Sequence, residues 1–156
     1  MSIARHPMVM FAPKPSGGAP TFDADYQAIL TYMSAQTYLL PSPAMQIKQN
    51  VLVLALKAAG IWTRIARLVV MATDGDNNAA LVNWVDPVIA KQTLRVNSPT
   101  FTPNQGYQGN GTSSYLDPQI PNLAALPNYL INNGHVMVYR RIDGEKLGGC
   151  DVGGMT

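Results

Sequence analysis

Between residues 26 and 33 the apolar side chains recur at helical spacing. Tyr26, Ile29, Leu30 and Met33 fall at i, i+3, i+4 and i+7, one face of a helix. Thr21 or Asp23 can cap its start, and two aspartates in the first turn suit the helix dipole. "YLLPSP" stops this helix and starts another, with Ser42 as N-cap and Pro43 at the first helical position. In the second helix Ile47, Val51, Leu54 and Ala58 form the stripe expected to be buried, and Gly60 follows as the C′ residue. The short link containing Pro41 predicts an antiparallel helical hairpin over residues 21–62.

From Ile65 the period changes. "IARLVVMA" and "ALVNWV" are short apolar runs, separated by the turn "TDGDNN", and read as strands. "TLRVN", "TFT", "GYQG", "SSYLD" and "HVMVYRR" follow as further short strands between Gly, Pro and Asn clusters. Many short strands at close spacing predict an antiparallel β-sandwich or jelly roll over residues 63–156. Residues 1–20, with four prolines and two glycines, cannot hold a helix or a central strand and read as an extended arm. Its apolar patch Met8, Val9, Met10 and Phe11 suits docking on a neighbour, with a frayed terminus as the equal alternative. The fold class expected is α+β, mainly β. No internal repeat and no run of heptads is present.

Composition adds one point. Charged residues make up only 13% of the 156, about half the share of an ordinary soluble domain. A surface so poor in charge resists association weakly, which points to life inside an assembly or to a β-rich secreted domain. Net charge is +2, with basic residues scattered singly apart from Arg140-Arg141. No clustered basic stripe suggests a nucleic-acid partner. No apolar stretch is long enough for a membrane helix, and "MVMF" is too short for a secretory apolar region.

Candidate chemistry is sparse. The one glutamate, Glu145, and eight aspartates lie mostly in turn or cap contexts, so paired carboxylates for glycoside cleavage are not expected. Asp74, Asp76 and Asn78 match the first positions of a calcium loop, but Ala79 and Val85 stand where Gly and Glu are needed. His6, His135 and Cys150 are too far apart in sequence for a zinc motif, and they leave no nucleophile–base pair built on His135. The reading is of a protein that is not an enzyme and needs no cofactor. Trp62 and Trp84 sit in apolar contexts and read as core. Asn110-Gly111-Thr112 spells a glycan acceptor but is better explained as a turn.

"YQAILTYMSAQTYLLPSPAMQIKQNVLVLALKAAGIWTRI", "ATDGDNNAALVNWVDP", "RVNSPTFTPNQGYQGNGTSSYLD" and "NNGHVMVYRR" together span most of residues 22–156. As whole strings they resemble a bacteriophage virion protein architecture, a short helical segment followed by a concanavalin A-like, laminin-G-type jelly roll. The resemblance implies a structural or adhesive role in a tail, fibre or spike, with localisation in the virion. It implies other virion proteins as partners, a homo-oligomer such as a trimer, and host-surface glycan as a second partner class. The alternative function is a carbohydrate-binding host-adhesion module. Candidate contacts for glycan or partner are Asn104, Tyr107, Asn110 and Tyr115, with ordinary turn and core chemistry as their competing role. Two departures stand out. The sandwich is expected to be partial within this chain, and Arg64 and Arg67 of "TRIAR" replace the acidic residues usual in the linker.

Overall fold

Asp23 opens the first helix as its sequence predicts. Its side chain accepts a hydrogen bond from the Asp25 amide at 3.0 Å, and α1 runs Ala24–Ala35. Ser42 likewise caps α2, Pro43–Ala58, accepting from the Met45 amide at 3.3 Å. The computed structural model describes residues 21–120, 122, 126 and 134–139. The expectations for the arm of residues 1–20, with Met8–Phe11, and for Arg140-Arg141 and Cys150 lie outside the described residues.

Both helices end in Schellman motifs. After α2, the amides of Gly60 and Ile61 donate back to Lys57 and Leu56 at 2.9 Å each, with Gly60 at φ +67. After α1, the amides of Thr37 and Tyr38 donate to Ser34 and Met33 at 3.0 Å. Here the left-handed position holds Thr37 at φ +59, a β-branched residue in glycine's place. Left-handed backbone costs about 1–2 kcal/mol outside glycine. Part of that is offset because glycine adds about 0.4–1 kcal/mol of unfolded-chain entropy. Thr37→Gly should therefore stabilise by about 0.5–1 kcal/mol. A urea midpoint unchanged or lowered would refute it.

All four α1 residues predicted to be buried are so: Tyr26, Ile29, Leu30 and Met33. They form one core with Val53, Trp62, Ala79, Val82 and Trp84, and both tryptophans are core residues as expected. The helices pack antiparallel, because the start of α1 meets the middle and the last turn of α2. The Asp23 amide donates to Asn50 Oδ1 at 2.8 Å and the Tyr26 hydroxyl donates to Gln49 Oε1 at 2.7 Å. Lys57 pairs with Asp23 at 2.6 Å and Asp25 at 2.7 Å.

The expected burial of α2 is wrong. Ile47, Val51 and Leu54 are 49%, 58% and 47% exposed, and Ala58 is exposed as well. The buried positions are Gln49, Asn50 and Val53. Two of these are polar, and both accept hydrogen bonds from residues 23–26. Apolar spacing locates a helix face but does not say what covers it.

Two expected strands are also corrected. "IARLVVMA" and "ALVNWV" meet only in a single antiparallel bridge, Val69–Asn83. The second begins instead with a 3-10 turn, Ala79–Leu81, whose residues are all buried. The next four strands do form: β1 Leu94–Val96, β2 Thr100–Thr102, β3 Gly106–Gln108 and β4 Tyr115–Asp117. They make two antiparallel pairs, β1 with β4 and β2 with β3, so the β2–β3 hairpin is nested in sequence within β1–β4. Of "HVMVYRR", expected to be a strand, the described residues 135–139 contain none and are exposed to solvent. The chain is thus α+β, with two sheets of two strands among the described residues.

Candidate functional site

The turn "TDGDNN" is where the structure converges. Asp74 accepts from both the amide and hydroxyl of Ser42, at 2.9 and 2.5 Å. Asp76 Oδ2 accepts from the Leu39 amide at 3.0 Å, while the Asp76 amide donates back to the Leu39 carbonyl at 3.2 Å. Asp76 Oδ1 also caps the following 3-10 turn through the amides of Asn78 and Ala79, at 2.9 and 2.8 Å. The carboxylates that resembled a calcium loop therefore clasp the link between the helices. Among the described residues no three His, Cys, Asp or Glu side chains converge as a metal site.

The same turn receives the β-region. The Asn104 amide donates to the Thr73 carbonyl at 2.8 Å, the Tyr107 hydroxyl donates to the Asn77 carbonyl, and Arg95 reaches Asn78 Oδ1 at 3.2 Å. The segments around residues 72–84 and 96–117 thus meet in space.

This geometry assigns the four candidate contact residues. Asn104 sits at φ +62 after Pro103, with the Gln105 amide closing onto the Thr102 carbonyl at 3.0 Å, the signature of a type II turn. Tyr107 is half-buried and stacks obliquely on Phe101, ring centres 5.1 Å apart. Burial pushes its hydroxyl up to about 12. Asn110 Oδ1 accepts from the amides of Thr112, Ser113 and Ser114 at 2.9–3.0 Å, so this side chain organises its own loop. Tyr115 is the aromatic of the four that stays exposed, 53% open on β4, and Asn104 and Asn110 are exposed as well. No hydrogen bond or ring contact joins any two of the four.

A separate cleft of about 270 Å³ lies beside Arg67, Asn83, Asp86, Lys91 and Gln119. Arg67 donates through one terminal nitrogen to the Lys91 carbonyl at 2.5 Å and more weakly to Thr93 Oγ1 at 3.4 Å. Its Nε is buried with no hydrogen-bond partner, and burial lowers the guanidinium pKa against the opposing pull of Asp117. Lys91 pairs with Asp86. Ala66, Ala90, Ile120 and Leu126 make much of the wall apolar, and Asn83 and Lys91 already have partners, so Arg67 is the cation that could meet a hydroxyl-rich or carboxylate ligand here. The cleft supplies no nucleophile–base pair. Sequence reasoning noticed Arg67 only as a departure from an acidic linker, and it missed the cleft because Asn83, Lys91 and Gln119 are brought together by tertiary structure.

The clasp has a pH signature. Lys57 first, then the Asp25 amide, hold the Asp23 carboxyl below the ordinary carboxylate range against burial. At Asp74 burial acts upward, but the Ser42 hydroxyl and amide, with the Asp74 amide and Lys48, outweigh it and the carboxyl also lies low. Groups with lowered folded pKa contribute stability that is complete above the unfolded value of about 3.9. That contribution is lost as pH falls through the folded values. The urea midpoint should therefore hold from pH 7 to about pH 5 and fall steeply below about pH 4. Asp74→Asn should flatten part of that slope. An identical slope in the variant would show that Asp74 plays no part.

Comparison of the chain with protein-family models, with curated proteins and with solved structures finds no match.

Proposed function

We propose that the chain is a structural component of a bacteriophage particle, of the tail, fibre or spike kind. It attaches through its N-terminal arm and helices and displays its β-region, without enzymatic activity or a cofactor. One observation carries the assembly reading: α2 holds a polar face against its own fold and turns its apolar stripe outward. An apolar face fixed in this way needs a neighbour. Two further features agree. Val136, Met137, Val138 and Tyr139 are 72%, 92%, 56% and 89% exposed, so both faces of this run await cover. Among the described residues each sheet has only two three-residue strands, whose outer edges no other described strand pairs. The jelly-roll reading of residues 63–156 follows from those edges together with the resemblance of the strings, with neighbouring chain completing the sheets. The particle itself is named by the resemblance alone.

The test is chemical. Particles from a producing culture, washed in high salt and detergent, should retain the chain at fixed stoichiometry by quantitative mass spectrometry. Loss of the chain in the wash would overturn the reading.

The Arg67 cleft supports a second reading, a carbohydrate-binding host-adhesion module. Micromolar binding on a glycan array that Arg67→Ala abolishes would favour it over a purely structural role.

A further inference from the structure

We propose that the cleft beside Arg67 is a binding site for a small monocarboxylate, held between the Arg67 guanidinium and the Asn83 amide. The proposal deepens the second reading above, on which it rests for its biological setting, by naming the group that is recognised.

Two donors are left over in the cleft. Arg67 makes both of its hydrogen bonds through Nη2, to the Lys91 carbonyl and to Thr93 Oγ1. These fix the plane of the guanidinium and leave Nη1 without a partner among the described residues. Asn83 is 2% exposed and spends only Oδ1 on the fold, accepting from the Leu68 and Val85 amides at 3.2 and 3.4 Å. Its Nδ2 donates to no described residue. Unlike Arg67 Nε, that nitrogen is not sealed off, and the cleft is the space its residue lines. The bond from the Leu68 amide sets Asn83 beside the segment that carries Arg67. A nearly buried amide and a half-buried cation, each with a free N–H, together call for two acceptors.

Charge narrows the ligand further. No described carboxylate lies within ion-pairing distance of Arg67, and Asp86 is taken by Lys91. Asp117 pulls on the guanidinium through space without a hydrogen bond to it. One unmatched cation with two carboxylates nearby suits a single negative charge and repels a phosphate dianion. A carboxylate offers two oxygens, one for each donor, in a plane that a guanidinium matches.

Shape limits the rest of the molecule. Ala66, Ala90, Ile120 and Leu126 give the cleft an apolar wall, and its volume is about 270 Å³. That is below the roughly 300–1,000 Å³ of sites for drug-sized ligands, so one small ring or short chain fills it. An acidic sugar and a simple aliphatic acid share this chemistry.

Isothermal titration of the full chain with glucuronate, hexanoate, glucose and inorganic phosphate tests the proposal. At least one of the two acids should bind with a Kd of about 0.1 mM or below. Glucose and phosphate should bind at least about 10-fold more weakly. A preference for glucuronate assigns the site to a sugar acid. Equal binding of the two acids, or a preference for hexanoate, supports the carboxylate site and counts against the adhesion reading. Asn83→Asp keeps the Oδ1 acceptor and puts a second carboxylate oxygen where the amide nitrogen stands. It should leave the chain folded and weaken the bound acid about 30-fold or more. Arg67→Lys keeps the charge but loses the fork, and should weaken it about 10-fold. Binding of neither acid at about 10 mM, glucose or phosphate equal to the acids, or full affinity in Asn83→Asp would each overturn the proposal. Neutral glycans bound on the array as well as acidic ones would also overturn it, and would leave the adhesion reading standing.

Discussion

Gly75→Ala should destabilise the protein by about 2–4 kcal/mol. A Cβ added at this buried position would lie 2.7 Å from the Leu39 carbonyl oxygen and 3.3 Å from the Pro41 nitrogen. Both are backbone atoms, so no side-chain rotation relieves the clash and the turn must move off the helical link. That motion strains four bonds together: Asp76 with Leu39 in both directions, and Asp74 with the amide and hydroxyl of Ser42. Because Asp74→Ala breaks part of the same clasp, its cost should be smaller in the Gly75→Ala background than in the native one. Urea midpoints of the two single variants and the double variant give the answer. Additive losses, or a Gly75→Ala loss below about 0.5 kcal/mol, would show that link and turn are not joined as a unit.

The same clasp marks where the sequence stopped being readable. "TDGDNN" was legible as a turn, since Asp, Gly and Asn carry turn chemistry locally. Its partner was not, because Leu39 and Ser42 lie more than thirty residues earlier. Helix α1 was legible in its N-cap and core face, since capping and period are local properties, whereas its C-terminal turn through Thr37 carries no glycine to mark it. On α2 the caps were equally plain but the stripe was assigned to the wrong side. Hydrophobicity gives the existence of a face, and only the hydrogen bonds of Gln49 and Asn50 decide its direction. "ALVNWV" shows a different limit: a short apolar run carries no period, so a buried 3-10 turn and bridge looked like a strand. β1 to β4 were found because Pro, Asn and Gly punctuate them closely. Among the candidate contacts, polarity in a loop does not amount to availability: Asn110 is used up by its own loop and Tyr107 by Asn77. Tyr115 kept its exposure.

Trp84→Ala should cost more than any other single change considered, about 3–5 kcal/mol. The side chain is 2% exposed, and its ring lies 5.8 Å from that of Tyr26, which in turn meets Phe22 edge-on at 5.4 Å. Through this file of rings the segment after the 3-10 turn packs directly on α1. The Trp84 amide donates to the Leu68 carbonyl at 2.8 Å and holds the neighbouring extended segment in register. Removing the indole leaves a cavity walled by Tyr26, whose hydroxyl is committed to Gln49 and cannot swing inward without leaving a buried acceptor unpaired. Collapse around the cavity is thereby resisted, which places the loss toward the upper end of the range. Against a typical total of about 5–15 kcal/mol, that is enough to populate unfolded chain at ordinary temperature. Trp84→Phe keeps a ring facing Tyr26 and should lose less. Trp62 remains in both variants as a fluorescent reporter, so urea transitions followed by its emission compare them directly. Equal midpoints for the Ala and Phe variants would mean that neither a ring facing Tyr26 nor the volume it fills contributes at this position. A native-like midpoint for Trp84→Ala would remove this ring from the core altogether.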